Sequence, residues 1–221
     1  MRIACLSDLH LEFYTAEHLA RGGGPVKPAH ARMLAETADA VVLAGDIARG
    51  GFGVAWAARL FPTLPVVYVL GNHEAYGRDI DATLQECRGA ARATPNVHVL
   101  ADEAVTIGGV RFLGCTLWTD LAINGDPEEG ARRVGRGLND YRRIHRGGAA
   151  LSPALTRQWH AASREWLRRR LSEGPAVVVT HHGPHVATQP PRFRPPDGDT
   201  ALAPGFVSDC SELFGPRVPL W

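Results

Sequence analysis

At 221 residues, 45% of them hydrophobic and with a formal charge of +1, the chain is long enough for one well-packed domain over residues 1–221 and shows no composition shift that calls for a second. Near balance of acids and bases excludes a global electrostatic attraction to nucleic acid or to an anionic membrane, so any affinity for phosphate has to be local. Lys27 is the only lysine, a bias that reads as genome composition, and Cys5, Cys87, Cys115 and Cys210 form no Cys-x-x-Cys pair, which points to reduced thiols.

Met1 leads straight into an apolar run without a basic and apolar leader, and no such run nears the roughly 20 residues that span a bilayer, so a soluble cytoplasmic protein is expected. That first run, Ile3 to Ser7, predicts a strand that ends at Asp8 and His10. A helix over Ala29 to Thr37 precedes a second strand, Ala40 to Ala44, ending in Gly45-Asp46. Gly53 to Leu60 predicts a helix, Val66 to Leu70 a third strand ending in Gly71-Asn72-His73-Glu74, and Asp79 to Ala93 another helix. The alternation implies a layered α/β fold, whose sites form beyond the carboxyl ends of the strands.

Strands at Val97 to Leu100, Val105 to Ile107 and Val110 to Cys115 follow, the last two joined by Gly108-Gly109 as a tight hairpin turn, so this half is expected to be locally antiparallel. Six arginines between Arg132 and Arg146 make the next segment basic, but only Tyr141 interleaves as a stacking aromatic, and a solvated face is the better reading than a nucleic-acid surface. The polar groups of Gly114 to Asp120 and Asn139 to Arg142 are placed to line a mouth. Ser152 to Leu171 is the clearest helix: Ser152 can cap it, Pro153 suits its first turn, and Leu155, Trp159, Ala162 and Trp166 share a face. Ala176 to Thr180 predicts a buried strand delivering His181 and His182, and His185 to Pro204, rich in proline, predicts a surface loop near the site.

Taken singly, Asp-x-His and Gly-Asp are ordinary turn chemistry. Strand ends that together supply Asp8, His10, Asp46, Asn72 and His181 are a pattern that turns do not account for. In this order the blocks Asp8-x-His10, Gly45-Asp46, Gly71-Asn72-His73-Glu74 and the strand-end His181 resemble those of the calcineurin-like metallophosphoesterases, over roughly residues 1–182. The resemblance implies a layered calcineurin-like β-sandwich flanked by helices. It implies metal-dependent hydrolysis of small phosphate esters, monoester or diester, at two divalent metal ions with a metal-bound hydroxide as nucleophile. Mixed oxygen and nitrogen ligands suit manganese, iron or zinc better than calcium.

By the same resemblance Asp8 and His10 hold the first metal, Asp46 bridges both, and Asn72 and His181 hold the second. His73 contacts the phosphate or leaving-group oxygen without binding metal, and Glu74 orients its ring. Arg49, Tyr76 and His182 are expected within reach of the substrate. One block departs from the family pattern: no Gly-His-x-His occurs, and Pro219-Leu220-Trp221 looks like the start of the strand that normally precedes it. The expectation is therefore a C-terminal strand missing or truncated and partial metal occupancy, with His182 or His185 as substitute ligands. An open sheet edge would then invite association between copies. An impaired binding or regulatory protein, or a fragment of an active enzyme, stand as alternatives.

Overall fold

The computed structural model describes residues 1–194 and 200–221; residues 195–199 of the anticipated loop lie outside the described residues. Strands form where β-branched and aliphatic residues run together: β1 (Ile3–Leu6), β2 (Ala40–Ala44), β3 (Val66–Val69), a two-residue β4 (Arg78–Asp79), β5 (Val97–Leu100), β6 (Glu103–Ile107), β7 (Val110–Cys115), the short β8 (Ile144–Arg146) and β9 (Ala149–Ala150), and β10 (Val177–Thr180). Helices alternate with them: α1 (Ala16–Ala20), α2 (Pro28–Thr37), α3 (Phe52–Leu60), α4 (Ile80–Arg92), α5 (Pro127–Gly137), α6 (Asp140–Arg143) and α7 (Pro153–Ser172).

One sheet, in the order β1-β2-β3-β5, is wholly parallel. Its central strands β2 and β3 are buried on both faces, as near-continuous apolar runs require. The second sheet, β10-β7-β6, mixes a parallel β10–β7 pair with an antiparallel β6–β7 hairpin. Gly108 and Gly109 turn that hairpin at φ 54° and 77°, a backbone that a β-carbon would strain. The two sheets face each other across Val42, Val67, Val69, Leu100, Phe112, Val177 and Val179. Outside the first sheet, α2, α3 and α4 cover Val41, Leu43, Val66 and Tyr68; outside the second, α7 lays Leu167 and Leu171 on Leu113 and Val178.

The result is the expected helix-flanked sandwich. At its far edge the tail lies beside β10: Ala176 donates to the Arg217 carbonyl (2.9 Å), Val178 to that of Leu220 (3.0 Å), and Leu220 pairs in parallel with Val177. Helix α5 starts on Asp126, whose side chain accepts from the amides of Glu128 and Glu129, and its buried Val134 joins Tyr76, Trp118 and Tyr141 in a separate cluster beneath the site.

Candidate metal centre

Asp8, His10, Asp46, Asn72, His73, Tyr76, Asp140, His181 and His182 line one cavity of about 700 Å³ at the carboxyl ends of β1, β2, β3 and β10. The loops after β1 and β2 are zipped by backbone bonds from Asp8 to the Gly45 carbonyl (3.1 Å), His10 to Asp46 (3.0 Å) and Leu11 to Ile47 (2.9 Å). Asp8, His10 and Asp46 all take left-handed backbone, at φ 53°, 46° and 55°. Non-glycine residues pay about 1 kcal/mol or more for such backbone, and it recurs where a site dictates side-chain direction.

Glu74 corrects one expectation. Its buried carboxylate does not touch the His73 ring; it accepts from the amides of Asp46 (3.1 Å), Ile47 (2.9 Å) and Gly71 (2.9 Å) and from the Tyr68 hydroxyl (2.9 Å). Burial and the neighbouring Asp46 charge push this carboxyl up, and the bonds from Ile47 and Tyr68 oppose the shift by favouring the ionised form. Glu74 therefore stitches the β2 and β3 loops together. Gly71 belongs to the same junction, because a β-carbon there would stand 2.1 Å from Asp46 Oδ1.

The His73 ring is oriented by Glu12, a residue the sequence reading did not single out. Glu12 Oε1 lies 3.1 Å from His73 Nδ1 and 3.2 Å from His10 Nδ1, so one oxygen holds two rings. Its Oε2 is shut off from solvent and has no hydrogen-bond partner among the described residues. Burial alone would raise the Glu12 carboxyl, but the bonds to His73 and His10 outweigh it and bring the pKa below its ordinary value. In His73, burial alone would lower the ring; the bond to Glu12 and the charges of Asp46, Glu12 and Asp140 outweigh it and raise the pKa. Tyr76 stacks on His73 at 3.9 Å between ring centres and donates its hydroxyl to Asp140.

The five anticipated metal ligands converge. Ligand atoms of Asp8, His10 and Asp46 lie within 4.8 Å of one another. His10 Nδ1 is engaged by Glu12, leaving Nε2 3.8 Å from Asp46 Oδ2. On the other side His181 gives Nδ1 to the Ala44 carbonyl (3.0 Å), which turns Nε2 toward Asn72 Oδ1 (3.0 Å) and Asp46 Oδ1 (3.5 Å). Asn72 is set from behind, since its Nδ2 donates to Asp140 (2.8 Å). With Nδ1 held on a carbonyl, Nε2 stands against two acceptor oxygens, an imidazole nitrogen, an amide oxygen and a carboxylate oxygen that together form a donor set fitting a cation.

Asp140, from the segment expected to line a mouth, is thus the support behind Asn72. Arg49 is a second correction: it is exposed and outside the cavity lining, because Ala48 and Gly50 beside it are buried and turn it outward. His182 borders the cavity, yet its ring stacks on Trp118 and its Nδ1 lies 3.1 Å from the Thr116 carbonyl. Burial, with the adjacent His181, pushes its pKa down to about 3. His185 is no substitute ligand, for its Nδ1 accepts from the Ala187 amide (3.1 Å) and it is not part of the lining.

A sandwich of two sheets with carboxylates, an amide oxygen and imidazoles converging at one strand-end rim defines a class of metal-dependent phosphoesterases. The chain belongs to the calcineurin-like phosphoesterase family, whose model matches residues 1–219. It is 25% identical over 130 residues to an uncharacterised protein of Acanthamoeba polyphaga mimivirus, an alignment covering 54% of this chain and 45% of that protein. The chain thus spans less than half of the length of that curated relative. Its fold is similar to that of the phosphopantetheinyl hydrolase from Mycobacterium tuberculosis, with TM-score 0.59, 19% identity, and coverage of 94% of this chain and 75% of that one.

Proposed function

We propose that this chain hydrolyses phosphate esters with two divalent metal ions, one held by Asp8, His10 and Asp46 and the other by Asp46, Asn72 and His181. The observation that carries the reading is Nε2 of His181 turned onto Asn72 Oδ1 and Asp46 Oδ1 by a carbonyl behind the ring. Bound there, the ions would supply Lewis acidity toward the phosphoryl oxygens and an activated water, with manganese, iron or zinc matching the ligands. The protein's own part is orientation and proton delivery. Glu12 fixes Nδ1 of His73 and so reserves Nε2 for the leaving-group oxygen, while Tyr76 braces the ring from one face. The backbone amide of His73 donates to Asp46 Oδ1 (2.9 Å), which holds the bridging carboxylate in place. That a protein of similar fold is described as a phosphopantetheinyl hydrolase makes phosphoester cleavage the reaction to test first.

The test is release of p-nitrophenol from the aryl phosphate monoester and diester by manganese-loaded protein, with elemental analysis alongside. Turnover that disappears on chelation is expected, and His73→Ala should keep its metal while losing about 10²–10⁴-fold in rate. Stoichiometric metal with no turnover on either ester would overturn the reading.

A further inference from the structure

Behind the metal centre lies a second cavity, of about 200 Å³, that shares no lining residue with the first. It is bounded by the end of β3, the start of α4, the turn joining β5 to β6 and the middle of α7. Trp118 stands between the two cavities, lining this one and stacking on His182, which borders the other. Ile80, Leu84 and Trp159 in the lining are only half-buried, so apolar surface faces the space. Two carboxylates line it as well, Asp81 and Asp102, and none of the described lining residues is basic. The bases nearby are committed elsewhere. Arg146 is bound to Asp81 (2.9 Å) with its guanidinium over Trp159, 5.4 Å from the ring centre, and Arg88 is bound to Glu103 (3.0 Å). Asp102 is left without a cation among the described residues, although it is open to solvent and reachable by a ligand. The surrounding protein partly desolvates this carboxyl and raises its pKa; the Ser163 hydroxyl opposes the shift and the Glu103 charge adds to it. Its backbone is held left-handed at φ 54°, which fixes the direction of the side chain.

We infer that this cavity is a second ligand site, for a small organic ammonium ion whose nitrogen meets Asp102 and whose apolar body lies against Ile80, Leu84 and Trp159. A carboxylate without a counter-ion gains a charge-assisted hydrogen bond from such a nitrogen, and an indole face nearby favours the same charge. The rim shows that chemistry in use, where one acid and one indole, Asp81 and Trp159, already hold the guanidinium of Arg146. Volume sets the size of the ligand: an apolar cavity of about 150 Å³ accepts a benzene ring, so this one takes a single ring or a short alkyl group with its amine. Anions are disfavoured, because both charged groups of the lining are negative.

Calorimetric titration at pH 7 with benzylamine, an ammonium ion there, and with benzyl alcohol, its uncharged counterpart of the same shape, tests the site. The native protein should bind the amine more tightly than the alcohol. Asp102→Asn keeps the shape of the side chain and suits left-handed backbone, so it should fold; it should cost the amine about ten-fold and leave the alcohol unchanged. A native protein that binds neither ligand, or both equally, overturns the site without recourse to a variant, and so does an Asp102→Asn protein that keeps the native preference. Titrations with and without manganese separate this cavity from the metal centre. Equal affinity for the amine in both supports the site; binding that manganese abolishes would place the amine among Asp8 and Asp46 and overturn it. Hydrolysis is not part of the readout, so the ammonium site and the phosphoesterase reading stand or fall separately.

Discussion

Glu12 shows how much one side chain can set. A single oxygen orients His10, a metal-side ring, and His73, the ring assigned to the leaving group, so the two are positioned by one group and not independently. Glu12→Gln should therefore lower metal affinity and turnover together, each by about 10–100-fold, the usual effect of losing a carboxylate behind a ligating histidine. Titration of metal content beside the rate checks this, and a change in only one of the two would show that the rings are set separately. The residues proposed as ligands were legible because each ends a short apolar run. Glu12 was not, because Glu74 is adjacent to His73 in sequence and looked like its partner. Only the turn at Leu11–Phe13, stabilised by the bond from Leu11 to Ile47, brings Glu12 under both rings.

At the scale of elements, α7 carries a buried histidine that should make the fold less stable in acid. His160 is 2% exposed; its Nδ1 lies 3.2 Å from the Leu117 carbonyl, and its Nε2 has no hydrogen-bond partner among the described residues. Burial lowers its pKa, as it does that of His182. The unfolded chain takes up these protons near pH 6.5, whereas the folded protein resists until lower pH. Stability is then fully present above about pH 6.5 and is lost as pH falls, for His182 down to about 3. Thermal unfolding in chelator at pH 7.5 and 5 should show this loss, and His160→Asn, which keeps a donor but does not titrate, should make it smaller. An unchanged difference would mean that His160 does not contribute. Strands β1, β2, β3, β5, β6, β7 and β10 and helices α2, α3, α4 and α7 could be read within a residue or two, since apolar runs and caps such as Asp79 and Ser152 mark them. Helices α1, α5 and α6 and the strands β4, β8 and β9 were missed: two- and three-residue strands and a five-residue helix carry no periodicity, and arginines obscured the Asp126-Pro127 start of α5.

For the molecule as a whole, the sheets have to stay face to face for their strand ends to meet. Phe112 is fully buried between them, and Phe112→Ala should cost about 3–5 kcal/mol. Urea unfolding followed by tryptophan fluorescence measures this, and a loss below about 1 kcal/mol would mean that the interface repacks around the gap. The layered order could be read from the alternation of elements; the short turns at Val186–Thr188 and Ala203–Gly205 could not, because a proline-rich stretch has no period to read. The four hydrogen bonds into Glu74 carry a further consequence, for how this molecule can change over generations. Loops sewn together at a buried carboxylate leave little room for insertion or exchange. The stretch of chain facing them is tied by backbone bonds from Gly183 to Phe206 (2.9 Å) and from Ser208 to Gly183 (3.0 Å). Novelty can enter through that stretch while the chemistry beneath it is inherited intact, so a library randomised there should yield many folded descendants and one randomised around Glu74 very few.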